Sequence, residues 1–141
     1  MKVKPLIVFK YGGNAMTEEF LKREVLKNIL SLRNNGFNVL ISHGGGPYIK
    51  KILQEVHVQS EFIDGQRKTT PEAFKYIEMA LKGQVNSDLV NTLNTLGSNA
   101  VGLSGKDGQT VIAEKRLHKK IVNGKEELID LGRVGNVAKV H

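Results

Sequence analysis

Short apolar runs that break off into glycine recur along the chain and constrain its fold more than any other feature. Pro5 to Lys10 runs into Gly12-Gly13, Phe37 to Ser42 into Gly44-Gly45-Gly46, and Ala100 to Leu103 into Gly105 and Gly108. Such continuous β-prone runs are expected as strands buried on both faces of a parallel sheet. Helical patterns follow the first two. Thr17 can cap a helix with Glu18 and Glu19 in its first turn, Leu21, Val25, Ile29 and Leu32 along one face, and Asn34-Asn35-Gly36 at its end. Pro47 stands where a first helical residue would, ahead of Ile49, Ile52, Leu53 and Val56 on one face. Strand, helix, strand, helix with short connections is the signature of a parallel α/β sheet with right-handed crossovers.

The remainder divides into one helical stretch and a set of hairpins. Glu61 to Lys68 reads as a small hairpin turning at Asp64-Gly65. Thr70-Pro71-Glu72 opens a helix that continues to about Thr95, with an interruption or kink at Gly83. Beyond Val111 the expected elements are Val111 to Val122, an Asn123-Gly124 turn, Glu127 to Leu131, and a further strand from Val134 to Val140.

Composition narrows the functional classes. A chain of 141 residues matches one domain at the usual ~100–200 residues each. Hydrophobic residues make up 40%, and no apolar run approaches the ~18 residues of a spanning helix. The N-terminal run is too short for a signal peptide, so a cytoplasmic location is expected. The absence of cysteine excludes disulfides, thiolate metal sites and cysteine nucleophiles. His43, His57, His118 and His141 lack ligand spacing, so no metal site is expected. The net charge of +7 suits an anionic small molecule or a nucleic acid. The cluster Lys115, Arg116, His118, Lys119 and Lys120 has no aromatic residue near it and reads as a solvated hairpin face, so neither nucleic acid nor membrane is expected as a partner.

The glycine turns carry the chemistry. Glycine lets backbone N–H groups approach a ligand, and a helix N-terminus beyond it adds donors and a positive dipole end. If the first two strands are neighbours, both turns open on the carboxyl edge of the sheet, where ligands of open α/β sheets bind. Lys10, beside Gly12-Gly13, could simply reach water; the alternative is a cation that neutralises a transferring phosphoryl group. Arg67, beside a tight turn, has a planar fork that suits a carboxylate, although a lone arginine there is more often a surface residue. His43 can hydrogen-bond within its own turn and is given no catalytic part. The Walker pattern fails, since Gly105-Lys106 is followed by Asp107 and preceded by Ala100 where glycine is needed; no dinucleotide fingerprint exists around Gly44 or Gly102.

Together "KYGGNAM" at 10–16, "HGGGP" at 43–47, "DGQRKTTPE" at 64–72, "GQVNSDLV" at 83–90, "AVGLSGKDG" at 100–108 and "DLGRVGNV" at 130–137 resemble the amino-acid kinase family, and within it the acetylglutamate kinases. The resemblance implies a three-layer α-β-α sandwich with a mainly parallel central sheet plus β-hairpins. It covers 1–141 as the N-terminal, acylamino-acid-binding lobe, with the C-terminal nucleotide-binding lobe outside these residues, so that the 141 residues alone would not be competent. The implied reaction is ATP-dependent phosphorylation of the side-chain carboxylate of N-acetyl-L-glutamate, giving N-acetyl-L-glutamyl 5-phosphate in arginine biosynthesis. Lys10 would stabilise the transition state, and Gly12 and Gly13 would lie at the phosphoryl group. Gly44, Gly45 and Gly46 would bind the acetylglutamate, and Arg67 would grip its α-carboxylate. Mg2+ would accompany ATP without dedicated ligands here. The resemblance also implies a homodimer through this lobe. With nine residues before Lys10, it implies no arginine feedback site.

The chemistry suits that inventory. A carboxylate with an ordinary pKa of ~4.3 is already ionised at neutral pH, so no general base is needed. Positioning two anions in line and cancelling their repulsion is what remains. A kinase for acetylaminoadipate or another acylamino acid, and a non-catalytic acylamino-acid-binding module, are alternatives on the same residues. One methylene changes binding by only ~1–3 kcal/mol. A basic nucleic-acid-binding domain rests on charge alone.

Overall fold

The computed structural model describes residues 3–141, and the fold is mixed α/β, as expected. The chain forms two compact units, one of residues up to Ile49 with Ala80–Gly102, the other of Lys50–Met79 with Leu103–His141.

The first unit is built on two parallel strands, β1 (Leu6–Tyr11) and β2 (Asn38–His43), paired in register from Leu6 opposite Asn38 to Tyr11 opposite His43. Helix α1 (Glu19–Asn34) connects them, and α2 (Gly46–Glu55) begins three residues after β2 and extends into the residues of the second unit. A 3-10 turn, Gly13–Met16, links β1 to α1. Side chains alternate across a strand, so Phe9, Tyr11, Val39 and Ile41 share one face and pack into a core with Met16, Leu26, Ile29, Val85 and Leu89. The other face is open: Leu6 is 60%, Val8 58% and Leu40 49% exposed. The expectation of burial on both faces is therefore corrected. An unbroken apolar run records that both faces are apolar, and within these residues only one is covered.

Glu18 rather than Thr17 caps α1, its carboxylate accepting from the Phe20 and Leu21 N–H groups at 3.0 and 2.8 Å. Lys22, on the first full turn of α1, is buried; its ammonium donates to Asp88 at 2.7 Å and pairs with Glu19 at 2.6 Å. These carboxylates raise its pKa against the opposing effect of burial. Asp88 lies in α4 (Ser87–Thr95), so the ion pair ties α4 to α1.

The helical stretch from Pro71 is continuous, and its disruption takes a different form from a kink. Helix α3 (Pro71–Glu78) passes into a π-helical segment, Met79–Asn86, which holds Gly83 and leads into α4. Gly83, a weak helix former, falls in this wider π segment. The run Ala100 to Leu103, expected as a third parallel strand, pairs with no strand among the described residues. A Cβ on Gly102 would collide with the Asn86 side-chain oxygen, so this segment is packed against a helix side chain instead of a ladder.

The second unit carries the hairpins. β3 (Glu61–Ile63) and β4 (Gln66–Lys68) turn at Asp64 and Gly65, both at positive φ, as the Asp-Gly pair of a tight hairpin turn requires. Thr70 caps α3 by accepting from the Ala73 N–H at 3.1 Å, with Pro71 in the first turn. β5 (Val111–Val122) and β6 (Lys125–Val140) form a long antiparallel ribbon about Asn123-Gly124. Where the sequence suggested two strands after that turn, β6 is one, and register shifts near Ile112 and Lys115 let the ribbon bend. Thr69 is stitched to β6 by its N–H to the Leu131 carbonyl and by the Arg133 N–H to its own carbonyl, each 2.7 Å.

Candidate functional site

The register of β1 and β2 sets the two glycine turns side by side. Lys10 stands opposite Ser42 and Tyr11 opposite His43, and the Gly44 N–H donates to the Tyr11 carbonyl at 3.0 Å, carrying the pairing one step past β2. Both turns thus leave the same carboxyl edge. Lys10 is exposed and, by alternation, lies on the open face of the sheet with Val8 and Leu40. No carboxylate pairs with it among the described residues. It is a cation at the sheet edge, held at its base by a strand and free at its tip.

The turn after Lys10 is held by two phenols. Tyr11 donates its hydroxyl to the Ala15 carbonyl, and Tyr48 of α2 donates to the Met16 carbonyl at 2.7 Å. Burial raises the Tyr11 pKa, keeping the hydroxyl a donor. Gly13 sits at φ 71° and opens the 3-10 turn, a conformation that glycine adopts without steric cost. Gly12 and Gly13 are both exposed.

Within the second turn the glycines differ. Gly44 and Gly46 are exposed and have space around them, whereas Gly45 is buried and its missing Cβ would meet Leu81 at 2.5 Å and Val85 at 3.4 Å. Helix α2 starts at Gly46; Pro47 carries no N–H and the Ile49 N–H donates to the Gly45 carbonyl at 2.9 Å, so of its first turn the Gly46 and Tyr48 amides lie at this edge. His43 completes the turn: Nδ1 lies 2.9 Å from the Gly44 carbonyl, and Nε2 lies 3.1 Å from the Asn86 side-chain nitrogen. The reading of His43 as a hydrogen-bonding turn residue fits this geometry. Asn86 and the two tyrosines are additions that sequence reasoning missed. The only signal for Asn86 was an amide side chain inside a helical stretch, where such residues are disfavoured unless they have a partner.

Lys10, Gly12, Gly13, Gly44, Gly45 and Gly46 are therefore brought together by the first unit. Arg67 belongs to the second unit, on β4. There its guanidinium lies over the Phe62 ring, 4.5 Å from the centroid, and donates to the Ser60 hydroxyl. Burial lowers its pKa from the ordinary value, and it stays cationic. The Phe62 ring and the Ser60 hydroxyl orient the guanidinium, whose planar fork is the kind of group that recognises a carboxylate bidentately.

The basic cluster on β5 is neutralised locally. Lys115 pairs with Asp130 at 2.6 Å, Lys119 with Glu126 at 2.8 Å and His118 with Asp64 at 2.8 Å. That pairing fits a solvated hairpin face. Among the described residues no group of three or more His, Asp or Glu side chains could hold a metal ion, and no helix is long and apolar enough to cross a membrane.

Comparison with known proteins identifies the family. The pattern of the amino acid kinase family matches residues 5–140. The chain is 44% identical to the acetylglutamate kinase of Vesicomyosocius okutanii, over 95% of this chain and 43% of that protein. It is 45% identical to the acetylglutamate kinase of Thiobacillus denitrificans, over 95% and 45% respectively. It thus spans less than half the length of these relatives. Among solved structures it superposes on smu.665 of Streptococcus mutans with a TM-score of 0.76 and 26% identity, covering 96% of this chain and 51% of that one. N-acetylglutamate synthase of Neisseria gonorrhoeae shares the fold, with a TM-score of 0.68 at 18% identity over 96% and 29%. With the family pattern matched over nearly its whole length, the chain belongs to the amino acid kinase family.

Proposed function

We propose that these residues form the N-terminal, acylamino-acid-binding lobe of an acetylglutamate kinase, which transfers the γ-phosphoryl group of ATP to the side-chain carboxylate of N-acetyl-L-glutamate. The observation that carries the reading is the pairing of Lys10 with Ser42 and of Tyr11 with His43, which puts a cation and two glycine turns on one sheet edge. Identity near 45% to proteins named acetylglutamate kinase supports the choice of substrate.

In the reaction a carboxylate oxygen attacks the γ-phosphorus, the bond from phosphorus to the ADP oxygen breaks, and an acyl phosphate and ADP form with no proton transferred. The residues have matching parts. Lys10 offsets charge on the oxygens of the phosphoryl group in flight, and the backbone of Gly12 and Gly13 donates beside it. Backbone groups of Gly45 and Gly46 hold the acceptor, and Gly44, whose own N–H and carbonyl bond Tyr11 and His43, shapes the turn beside them. Arg67 takes the α-carboxylate on its fixed fork. Mg2+ would arrive on the nucleotide phosphates.

The test is acyl-phosphate formation by the complete polypeptide, trapped as the hydroxamate, with ATP and either N-acetyl-L-glutamate or N-acetyl-L-aminoadipate. A higher kcat/KM for acetylglutamate is expected. Preference for the longer acid, or binding of acetylglutamate without turnover, would overturn the assignment.

A further inference from the structure

The peptide between Gly44 and Gly45 joins two glycines and has no side chain to fix its plane, yet it lies in the turn proposed to hold the acceptor. The His43 ring supplies the constraint. A carbonyl oxygen only accepts, so the nitrogen 2.9 Å from the Gly44 carbonyl, Nδ1, carries the proton. In a neutral imidazole Nε2 is then an acceptor, and the partner 3.1 Å away is the Asn86 amide nitrogen, a donor. The Asn86 oxygen is turned toward Gly102, which leaves room for it only because residue 102 has no side chain. The amide is thus held by a backbone contact on one side and a ring on the other.

In a trans peptide the carbonyl of one residue and the N–H of the next lie in one plane and point in opposite directions, and no cis peptide bond occurs among the described residues. Anchoring the Gly44 carbonyl therefore anchors the Gly45 N–H. We propose that Asn86 is a positioning residue for acceptor binding: it holds His43 as the Nδ1–H tautomer, His43 pins the Gly44 carbonyl, and the Gly45 N–H is thereby fixed in the direction in which it meets the substrate. The inference rests on the acceptor role of the Gly44–Gly46 turn. It places the determinant of turn geometry at the junction of the π-helical segment and α4, 43 residues away from His43 in the chain.

The experiment uses the complete polypeptide as wild type, Asn86→Leu and Asn86→Asp. The second variant keeps the shape of the side chain, so it remains informative if the first fails to fold. Long-range proton–nitrogen NMR of His43 is expected to show the proton on Nδ1 in the wild type, whereas in Asn86→Asp the carboxylate, which only accepts, favours the Nε2–H tautomer and so takes from Nδ1 the proton it donates to the Gly44 carbonyl. Both variants should raise KM for N-acetyl-L-glutamate about tenfold, the usual scale for losing one positioned hydrogen bond, while kcat and KM for ATP stay near the wild-type values. A wild-type His43 protonated on Nε2 overturns the proposal whatever the substrate proves to be. A folded Asn86→Asp with unchanged KM overturns it as well. Failure of the wild type to phosphorylate acetylglutamate strikes the functional reading instead, and the tautomer then decides the role of Asn86.

Discussion

Lys10 and Tyr11 are neighbours in sequence with opposite fates: the lysine lies on the open face of the sheet and the tyrosine in the core. A buried, unpaired ammonium would be costly. At the rim of an open face it is hydrated, and on the proposed reading a phosphoryl group displaces that water. If it does, its interaction with charge that develops in transit would raise kcat more than it lowers KM. Lys10→Ala is accordingly expected to lower kcat by roughly 100- to 1,000-fold, with KM for acetylglutamate changed by less than about threefold. Lys10→Arg should recover part of the loss. Steady-state kinetics on the complete polypeptide checks this, and a large rise in KM at constant kcat would show that Lys10 only binds. The residue and its glycines were legible in the sequence because a strand end, a lysine and a tight turn are all local features. Asn86 was not, since its partner His43 lies far away in the chain.

At the scale of elements, the β3–β4 hairpin shows the same division. Its turn was legible, because Asp64-Gly65 supplies the positive φ values that a tight hairpin needs. Its anchor was not, because the side chain that holds it comes from β5. His118 donates from Nε2 to Asp64 at 2.8 Å, and Nδ1 faces the Gln66 amide nitrogen at 3.4 Å; Arg116 donates to the Gln66 oxygen. The hydrogen bond from His118 is the main cause that holds the Asp64 carboxyl below the ordinary carboxylate range. A depressed carboxylate pKa adds stability above the unfolded value of ~3.9, and that stability is lost as pH falls through the lower folded value. His118→Phe, which keeps a ring and removes the donor, should return Asp64 toward its ordinary pKa. Carbon-detected carboxyl titration reads this directly, and an unchanged Asp64 midpoint would show that the pair is not formed. The same change frees the turn next to Arg67, so KM for acetylglutamate should rise more than kcat falls. Helical periodicity from 71 to 95 was equally legible, and so was a disturbance at Gly83. That the chain widens into a π segment there depends on packing, which the pattern of one strip does not carry.

For the molecule as a whole, the apolar runs could not reveal how many faces of the sheet these residues cover. Phe9 and Ile41 found a core, while Leu6, Val8 and Leu40, equally apolar, stayed open to solvent. A contiguous apolar face on a parallel sheet is unusual at a free surface, and the net charge of +7 opposes association of copies. The two effects have opposite salt dependence. The Debye length falls from ~30 Å at 0.01 M to ~8 Å at 0.15 M, so added salt should weaken repulsion and leave apolar attraction intact. The polypeptide of these 141 residues is therefore expected to enhance the fluorescence of an anilinonaphthalene sulfonate dye and to self-associate more strongly as salt is raised, read by sedimentation velocity. The double variant Val8→Thr and Leu40→Thr should reduce both signals while the far-ultraviolet circular dichroism is preserved, because both side chains point away from the core. Association that weakens with salt would identify charge as its cause, and dye binding unaffected by the double variant would place the exposed apolar surface elsewhere.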